Sequence, residues 1–257
     1  MNLVLMYDRH EKIMELLRKN KSLKVSTVTK TFGVSTETIR RDLEFLEKEG
    51  YLRRVRGGAV IDDLNSPEEN FTFRETKYID EKREIADIAT RYVSEGQSIA
   101  LDVSTTNTEF ARALKEKFQR LTILTNSLLI ANELAEMPNY TIILPGGVLR
   151  NDELCMVGHL TEDFFKGFSI DTFFMSISGI SLIEGLTDYG MGEFQVKMKM
   201  LESSRNCVVL ADSSKFDVAS LLRVCHFDRV DRIITDSKLS EKVLKKYTSE
   251  GIEIVNG

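Results

Sequence analysis

The stretch Gly33-Val34-Ser35-Thr36-Glu37-Thr38-Ile39-Arg40-Arg41-Asp42-Leu43, followed by Gly50-Tyr51-Leu52-Arg53-Arg54-Val55-Arg56-Gly57-Gly58, decides how this chain is read. Ser35 suits a helix N-cap, because its hydroxyl can accept from an amide that the first helical turn leaves unpaired. Ile39, Leu43 and Leu46 recur at i, i+4 and i+7, a stripe that must face other apolar surface. Glu37, Arg41, Glu44 and Lys48 fall on the opposite face, with Thr38 and Arg40 on its flanks. Gly50 is expected to end this helix. Leu52 to Val60, with the Gly57-Gly58 pair inside, predicts a two-stranded hairpin with arginines at its tip.

Upstream, Val25, Val28 and Phe32 predict a short helix ending at Gly33, a good residue for the position after a helix. Ile13, Leu16 and Leu17 mark an earlier helix beginning near Asp8. Together these predict a winged helix-turn-helix over residues 1–60. The first turn of such a third helix enters the major groove of DNA. Ser35, Thr36, Thr38, Arg40 and Arg41 are therefore candidates for base edges and nearby phosphates. An arginine can hold guanine O6 and N7 together, worth about 1–3 kcal/mol of discrimination. Glu37 either accepts from a cytosine amino group or favours the positive end of the helix dipole. Arg53, Arg54 and Arg56, beside Gly57 and Gly58, suit phosphates or a narrow minor groove.

Charge agrees with that division. The 257 residues carry a net −5, but residues 1–60 hold 13 Lys+Arg against 8 Asp+Glu, while residues 61–257 hold 22 against 32. A head at +5 on a body at −10 implies that only the head meets a polyanion.

Residues 61–70 are polar, contain Pro67 and lack periodicity, which predicts a linker, taken here to run over 61–73. A helix of about 18 residues should follow, from about Arg74 to Val93, with Ile79, Ile85, Ile88, Ala89 and Tyr92 on one side. Beyond it, β-rich runs appear at Ser98–Asp102, Leu121–Thr125, Tyr140–Leu144, Thr172–Ile177, Asn206–Ala211, Arg232–Thr235 and Ile252–Val255. Helical patterns such as Glu109–Lys117 and Leu128–Glu136 separate most of them. Strands alternating with helices predict an α/β domain with a mostly parallel sheet over residues 74–257.

Four loops expected at strand ends carry small polar residues: Asp102-Val103-Ser104-Thr105-Thr106, Thr125-Asn126-Ser127, Pro145-Gly146-Gly147 and Asp212-Ser213-Ser214-Lys215. Ligands of open α/β sheets bind beyond the carboxyl ends of the strands. Hydroxyls and backbone amides at a following helix start favour a phosphate, and Lys215 supplies charge to it. There is no GxGxxG and no Walker A motif, which argues against a nucleotide cofactor. Cys155, Cys207 and Cys225 are far apart in sequence, with no CxxC and few histidines, so free thiols are expected and a metal site is not. Phe164, Phe165, Phe168, Phe173 and Phe174 suit core or a subunit interface. No apolar run is long enough for a membrane span, and the start has no secretory pattern.

Val34 to Leu43 and Leu52-Arg53-Arg54-Val55-Arg56-Gly57-Gly58-Ala59 resemble the signature of the DeoR family of bacterial transcription regulators, Val-Ser-x-x-Thr-Ile-Arg-Arg-Asp-Leu then Leu-x-Arg-x-His-Gly-Gly-Ala. Arg56 stands where that family usually has His, which keeps a donor and adds a fixed charge. The resemblance extends through Asp102–Thr106, Thr125-Asn126, Gly146-Gly147, Gly179-Ile180, Glu193 to Lys197 and Asp212 to Lys215, with Ser104 in place of the usual Gly. It implies a ribose-5-phosphate isomerase-like, Rossmann-like effector domain that binds a phosphorylated sugar through Asp102, Ser104, Thr105, Thr106, Thr125, Asn126, Ser127, Gly146, Gly147, Gly179, Glu193, Lys197, Asp212 and Lys215. Glu193 and Lys197, at i and i+4, either contact ligand or form an ion pair with each other on a helix surface. The isomerase's carboxylate-bearing turn corresponds to Ser176–Ser181, which has none, and its lysine loop to Glu184–Thr187, which lacks the lysine. An isomerase needs a positioned base, so the expectation is a sensor without catalysis or cofactor.

The resemblance thus implies a repressor of a carbohydrate operon that binds operator DNA as a homodimer or homotetramer in the bacterial cytoplasm, associated with the nucleoid. An activator, a sensor of a non-sugar phosphate, and an active isomerase carrying a DNA-binding head are the alternatives left open by the sequence.

Overall fold

The computed structural model describes residues 6–20, 22–48, 52–60 and 71–257, and the chain divides into two units, Met1–Asn70 and Phe71–Gly257. Residues 61–70 of the expected linker, and Gly50, expected to end the third helix, lie outside the described residues.

The first unit runs α1 (Met6–Asn20), β1 (Ser22–Lys24), α2 (Val25–Phe32), α3 (Thr36–Lys48), β2 (Arg53–Val55) and β3 (Gly58–Val60). Its core is Ile13, Met14, Leu17, Val28, Ile39, Leu43, Leu46, Leu52 and Ala59. The stripe read from α3 therefore faces α1 and α2 as expected. Gly33 closes α2 in the left-handed region, its amide donating to Thr29 O at 3.0 Å. The Thr38 amide donates to Ser35 Oγ at 3.0 Å, so Ser35 caps α3.

The wing differs from the expected two-stranded hairpin. β1 pairs antiparallel with β3, giving a three-stranded sheet in the order β1-β3-β2. Three residues within a basic stretch show no periodicity, so β1 could not be read from sequence. Their approach also explains Gly58: a Cβ there would lie 2.0 Å from the carbonyl oxygen of Leu23.

A buried carboxylate joins α1 to α3. Arg9 donates to both oxygens of Asp42, at 2.6 and 2.8 Å, and His10 Nε2 lies 3.0 Å from Asp42 Oδ1. The His10 ring stacks on Phe45 with centroids 5.1 Å apart.

The second unit begins with α4 (Phe71–Thr76) and α5 (Ile79–Thr90). The single helix expected from Arg74 to Val93 is thus two, and α4 takes in residues 71–73, assigned from sequence to the linker. The break falls at Tyr78, which has φ 55. Next come β4 (Ser98–Leu101), α6 (Thr105–Lys117), β5 (Thr122–Thr125), α7 (Leu128–Leu134), β6 (Thr141–Ile143), β7 (Val148–Arg150), β8 (Cys155–Val157), α8 (His159–Phe165) and β9 (Ile170–Ser176). The chain continues through β10 (Gly179–Ser181), β11 (Gly185–Asp188), α9 (Met191–Glu202), β12 (Ser204–Leu210), β13 (Leu222–Cys225), β14 (Arg232–Thr235), α10 (Glu241–Thr248) and β15 (Ile254–Asn256).

All seven runs read as strands join one parallel sheet, in the order β15-β14-β12-β9-β4-β5-β6. The chain builds outward from β4 to β6, then returns to β9 and builds the other way. The switch point is therefore between β4 and β9, where open parallel sheets hold ligands. Alternate residues feed two cores, as strand geometry requires. Phe173, Met175, Cys207 and Val209 pack with Phe165, Val196, Met200 and Tyr247 on one side. Phe174, Val208 and Leu210 pack with Ile85, Ile88, Phe110 and Leu114 on the other. The phenylalanines at 165, 173 and 174 are fully buried core. Among the described residues no helix is long and apolar enough to cross a membrane.

Asp42→Ala would leave the Arg9 guanidinium buried without its carboxylate. It should destabilise the first unit by roughly 3 kcal/mol, the low end for breaking a buried pair. Urea denaturation of the full chain, followed by a probe in α3, measures this.

Candidate functional site

In the first unit, α3 and the wing form one basic surface. Thr36, Arg40 and Arg41 are exposed on α3, and Thr38 is half-buried, its hydroxyl sharing a 2.8 Å hydrogen bond with Ser35. Arg41 lies 3.5 Å from Glu37 with both side chains largely in solvent, so the pair holds neither firmly. A cleft of about 420 Å³ separates helix from wing, lined by Arg40, Glu47, Arg54, Arg56, Gly57 and Gly58 among others.

Arg54 differs from its neighbours. Its amide and its Nε donate to the two oxygens of Glu47, at 2.7 and 2.6 Å, which lowers the Glu47 carboxyl below its usual range. Arg54 thus straps the wing to α3. Arg56 is exposed in the turn, while the side chain of Arg53 lies outside the described residues. This surface brings together Ser35, Thr36, Thr38, Arg40, Arg41, Arg54, Arg56, Gly57 and Gly58. Asp42 belongs to the same motif but faces inward, to Arg9 and His10. Its role in seating α3 showed no signal beyond a carboxylate next to the Ile39, Leu43 stripe.

In the second unit, a parallel sheet puts every loop after β4, β5, β6, β9 and β12 at one edge. Ser104 caps α6, accepting from the Asn107 amide at 2.9 Å. The amides of Thr105 and Thr106 belong to that first turn, which has no carbonyl partner within the helix. Asp102, at the end of β4, reaches across the switch point to β9. It accepts from the Ser176 amide at 3.0 Å, Ser176 Oγ at 2.9 Å and Asn107 Nδ2 at 2.6 Å. Lys197 completes this contact from α9, 3.0 Å from Asp102, paired also with Asp188 and donating to Ser176 O at 2.6 Å.

Glu193 and Lys197 do not pair with each other, and neither is on a helix surface. Glu193 is buried and receives two hydrogen bonds from Arg150, at 2.7 and 2.8 Å. Burial disfavours the Lys197 ammonium, but Asp102 and Asp188 more than reverse this and hold it above its ordinary range. Asp102, expected at this site, is joined at the switch point by a second carboxylate, Asp188, that sequence reading did not anticipate. Both are committed to Lys197 and to hydroxyl or amide donors, and the Asp102 carboxyl is raised by burial. Such groups orient a pocket; a general base must reach a substrate proton.

Several other expected residues are spent internally. The Ser127 amide donates to Thr125 Oγ1 at 3.1 Å, and Ser127 caps α7. Asn126 accepts from the Val103 amide and donates to Met156 O, which ties the β4 loop to the β7–β8 hairpin. Gly147 and Gly179 are demanded by close approach: a Cβ would lie 2.1 Å from Thr161 Oγ1 at the first and 2.6 Å from Val218 O at the second. Gly146 is exposed at the same edge. Asp212 accepts from the Ser214 amide at 3.0 Å and shapes the loop that presents Lys215. The thiols of Cys155, Cys207 and Cys225 are all raised by burial, which keeps them protonated.

Lys82 was missed. It is 4% exposed on α5, and its Nζ donates to Lys77 O at 2.6 Å and to Arg74 O. Desolvation lowers it to about 8; Asp212 and Glu109 oppose that, while Lys215 and Arg74 add to it. The cationic side of the edge is therefore Lys82 with Lys215 and Arg74. The signal was present: Lys82 falls three residues after Ile79 and three before Ile85, on the buried face of the helix.

Side-chain NMR should find Lys82 titrating near 8. Because the unfolded chain keeps that proton until about 10.5, the unfolded state binds more protons between 8 and 10.5. Stability should gain from Lys82 as pH rises through that window, and Lys82→Met should remove this contribution from the pH dependence of urea denaturation.

The DeoR-like helix-turn-helix domain family matches residues 9–65, and the DeoR C terminal sensor domain family matches residues 77–237. The HTH-type transcriptional regulator GolR of Listeria innocua is 34% identical over 250 residues, covering 96% of this chain and 97% of that protein. The glycerol-3-phosphate regulon repressor of Escherichia coli is 30% identical over 248 residues, covering 96% and 97%. Among solved structures, ribose 5-phosphate isomerase A of Methanocaldococcus jannaschii aligns with a TM-score of 0.40 at 16% identity, over 55% of each chain. With both of its units matched and relatives aligned along nearly its whole length, the chain belongs to the DeoR family of helix-turn-helix transcriptional regulators.

Proposed function

We propose that this regulator represses a carbohydrate uptake or catabolism operon and is relieved by a phosphorylated sugar bound at the carboxyl edge of the second unit. The observation that carries this is the cationic cluster of Lys82 and Lys215 at the sheet edge that also holds the start of α6. A phosphate dianion suits two ammonium groups and the unpaired amides of Thr105 and Thr106. The buried Asp102, Lys197 and Asp188 group then supplies a rigid polar floor for sugar hydroxyls. The Escherichia coli relative, a glycerol-3-phosphate regulon repressor, supports the same class of effector. Two copies of α3 and the wing would read the two halves of an operator, so a homodimer or homotetramer in the cytoplasm, associated with the nucleoid, fits this role.

On the DNA side, Arg41→Ala should cost about 1–3 kcal/mol on operator sequence and little on random DNA. Arg56→Ala should weaken both alike and reduce the salt slope by about one ion. Fluorescence anisotropy over a salt series separates the two patterns. Equal affinities for wild type and both variants would remove these residues from the interface.

On the effector side, Lys215→Ala should leave operator affinity in the absence of ligand unchanged and abolish release by sugar phosphates. In wild type, sugar-phosphate affinity should fall as pH rises through about 8, when Lys82 loses its proton in an environment set by Asp212, Lys215, Arg74 and Glu109. The ligand's own second ionisation lies near 6, so it does not produce that fall. Isothermal titration calorimetry with a panel of pentose and hexose phosphates between pH 6.5 and 9.5 tests both statements; affinity flat across pH 8 would remove Lys82 from the site.

A further inference from the structure

Lys82 serves two partners at once. Its ammonium is carried on α5, whose Ile85, Ala86, Ile88 and Ala89 are buried in the core, so its origin is fixed. It donates to the carbonyls of Arg74 and Lys77, at and just beyond the C-terminal end of α4. Helix-end carbonyls have no partner within the helix, and a cation there is favoured by the helix dipole as well. It also feels the charges of Asp212 and Lys215, from the loop after β12.

α4 needs that help. It has six residues, far below the roughly 12–15 at which an isolated helix is even marginal in water. Besides Lys82, it is held by the buried Phe71, by Arg74 paired with Glu153 on the β7–β8 hairpin, and by Glu75, 3.5 Å from Arg112 on α6. It is also the first described element after residue 60. Of the described elements of the second unit, α4 is thus the nearest in sequence to the DNA-binding unit.

An ammonium has three donors and no acceptor. Its hydrogen bonds to a phosphate dianion are about twice as strong as those between neutral groups, and the dianion brings a full opposite charge that a carbonyl lacks. We propose that Lys82 is a latch: an anionic effector draws its ammonium off the Arg74 and Lys77 carbonyls, and α4 loosens at the point where the sensor unit joins the rest of the chain. This rests on the effector-site reading above and adds to it the route by which occupancy leaves the site.

Amide hydrogen exchange on the full chain tests the latch, with inorganic phosphate as the probe and sodium chloride at matched ionic strength as control. In wild type, phosphate should speed exchange of the α4 amides by at least about tenfold, the factor expected for each of the two hydrogen bonds to a charged donor that are lost, and leave α5 unchanged. Lys82→Met should show that acceleration without phosphate and gain nothing when it is added. Glu153→Gln, which weakens a separate anchor, should keep phosphate affinity while α4 exchanges faster at rest. Unchanged α4 exchange in Lys82→Met overturns the latch, as does an equal acceleration in chloride. Phosphate binding by calorimetry with α4 unmoved leaves the effector site standing and sinks the latch alone. Absence of phosphate binding in wild type removes the effector site and the trigger together.

Discussion

Lys197 is the contact on which the second unit's site depends. A parallel sheet that starts in its middle sets β4 beside β9 with no direct chain connection between them, and their backbone register ends at Leu101 and Phe174. Beyond that register the ammonium of Lys197 ties the carboxyl ends together, reaching from α9 to Asp102 after β4, to Ser176 O on β9 and to Asp188 at the end of β11. Three charges buried together cost desolvation, and each is tolerated because the others are present. The geometry of the Ser104–Thr106 turn, and so of the α6 start, follows from where Asp102 is held.

The first unit solves a similar problem with the signs exchanged. There a carboxylate, Asp42, is at the centre and receives Arg9 and His10. It joins α1 to α3, as Lys197 joins the loop after β4 to the end of β9. In both units a buried ionic group seats the element that carries candidate contact residues, α3 with Arg40 and Arg41 in one and the start of α6 with Thr105 in the other.

What was legible in the sequence follows from what repeats. The inner sheet strands are largely buried on both faces and all seven read as apolar runs, and the helix stripes of α1, α2 and α3 were equally plain. β1, β7, β8, β10, β11 and β13 are three or four residues long with mixed burial, too short for any period. The break at Tyr78 carries no local signal, since a tyrosine is rarely found at positive φ. The candidate loops were found because turn chemistry is local. Their roles were not, because whether Thr125 or Asn126 bonds a ligand or a neighbouring loop depends on residues far away in sequence. Lys82 could be placed on the buried face of α5 from its spacing, but its role could not, because its partners are carbonyls with no side-chain signature.

The third strand of the wing also constrains how this protein can change. The Val25 amide, at the start of α2, donates to Gly57 O in the wing turn at 2.9 Å, β1 pairs with β3, and Glu47 on α3 holds Arg54 on β2. Wing, α2 and α3 are thereby stitched at three places into one body. A wing attached only by its own hairpin can swing to meet a wider or narrower groove; this one cannot, except by carrying α3 with it. New operator preferences are therefore reached by exchanging side chains on α3 at fixed backbone, while insertions in the wing turn displace the whole reading head.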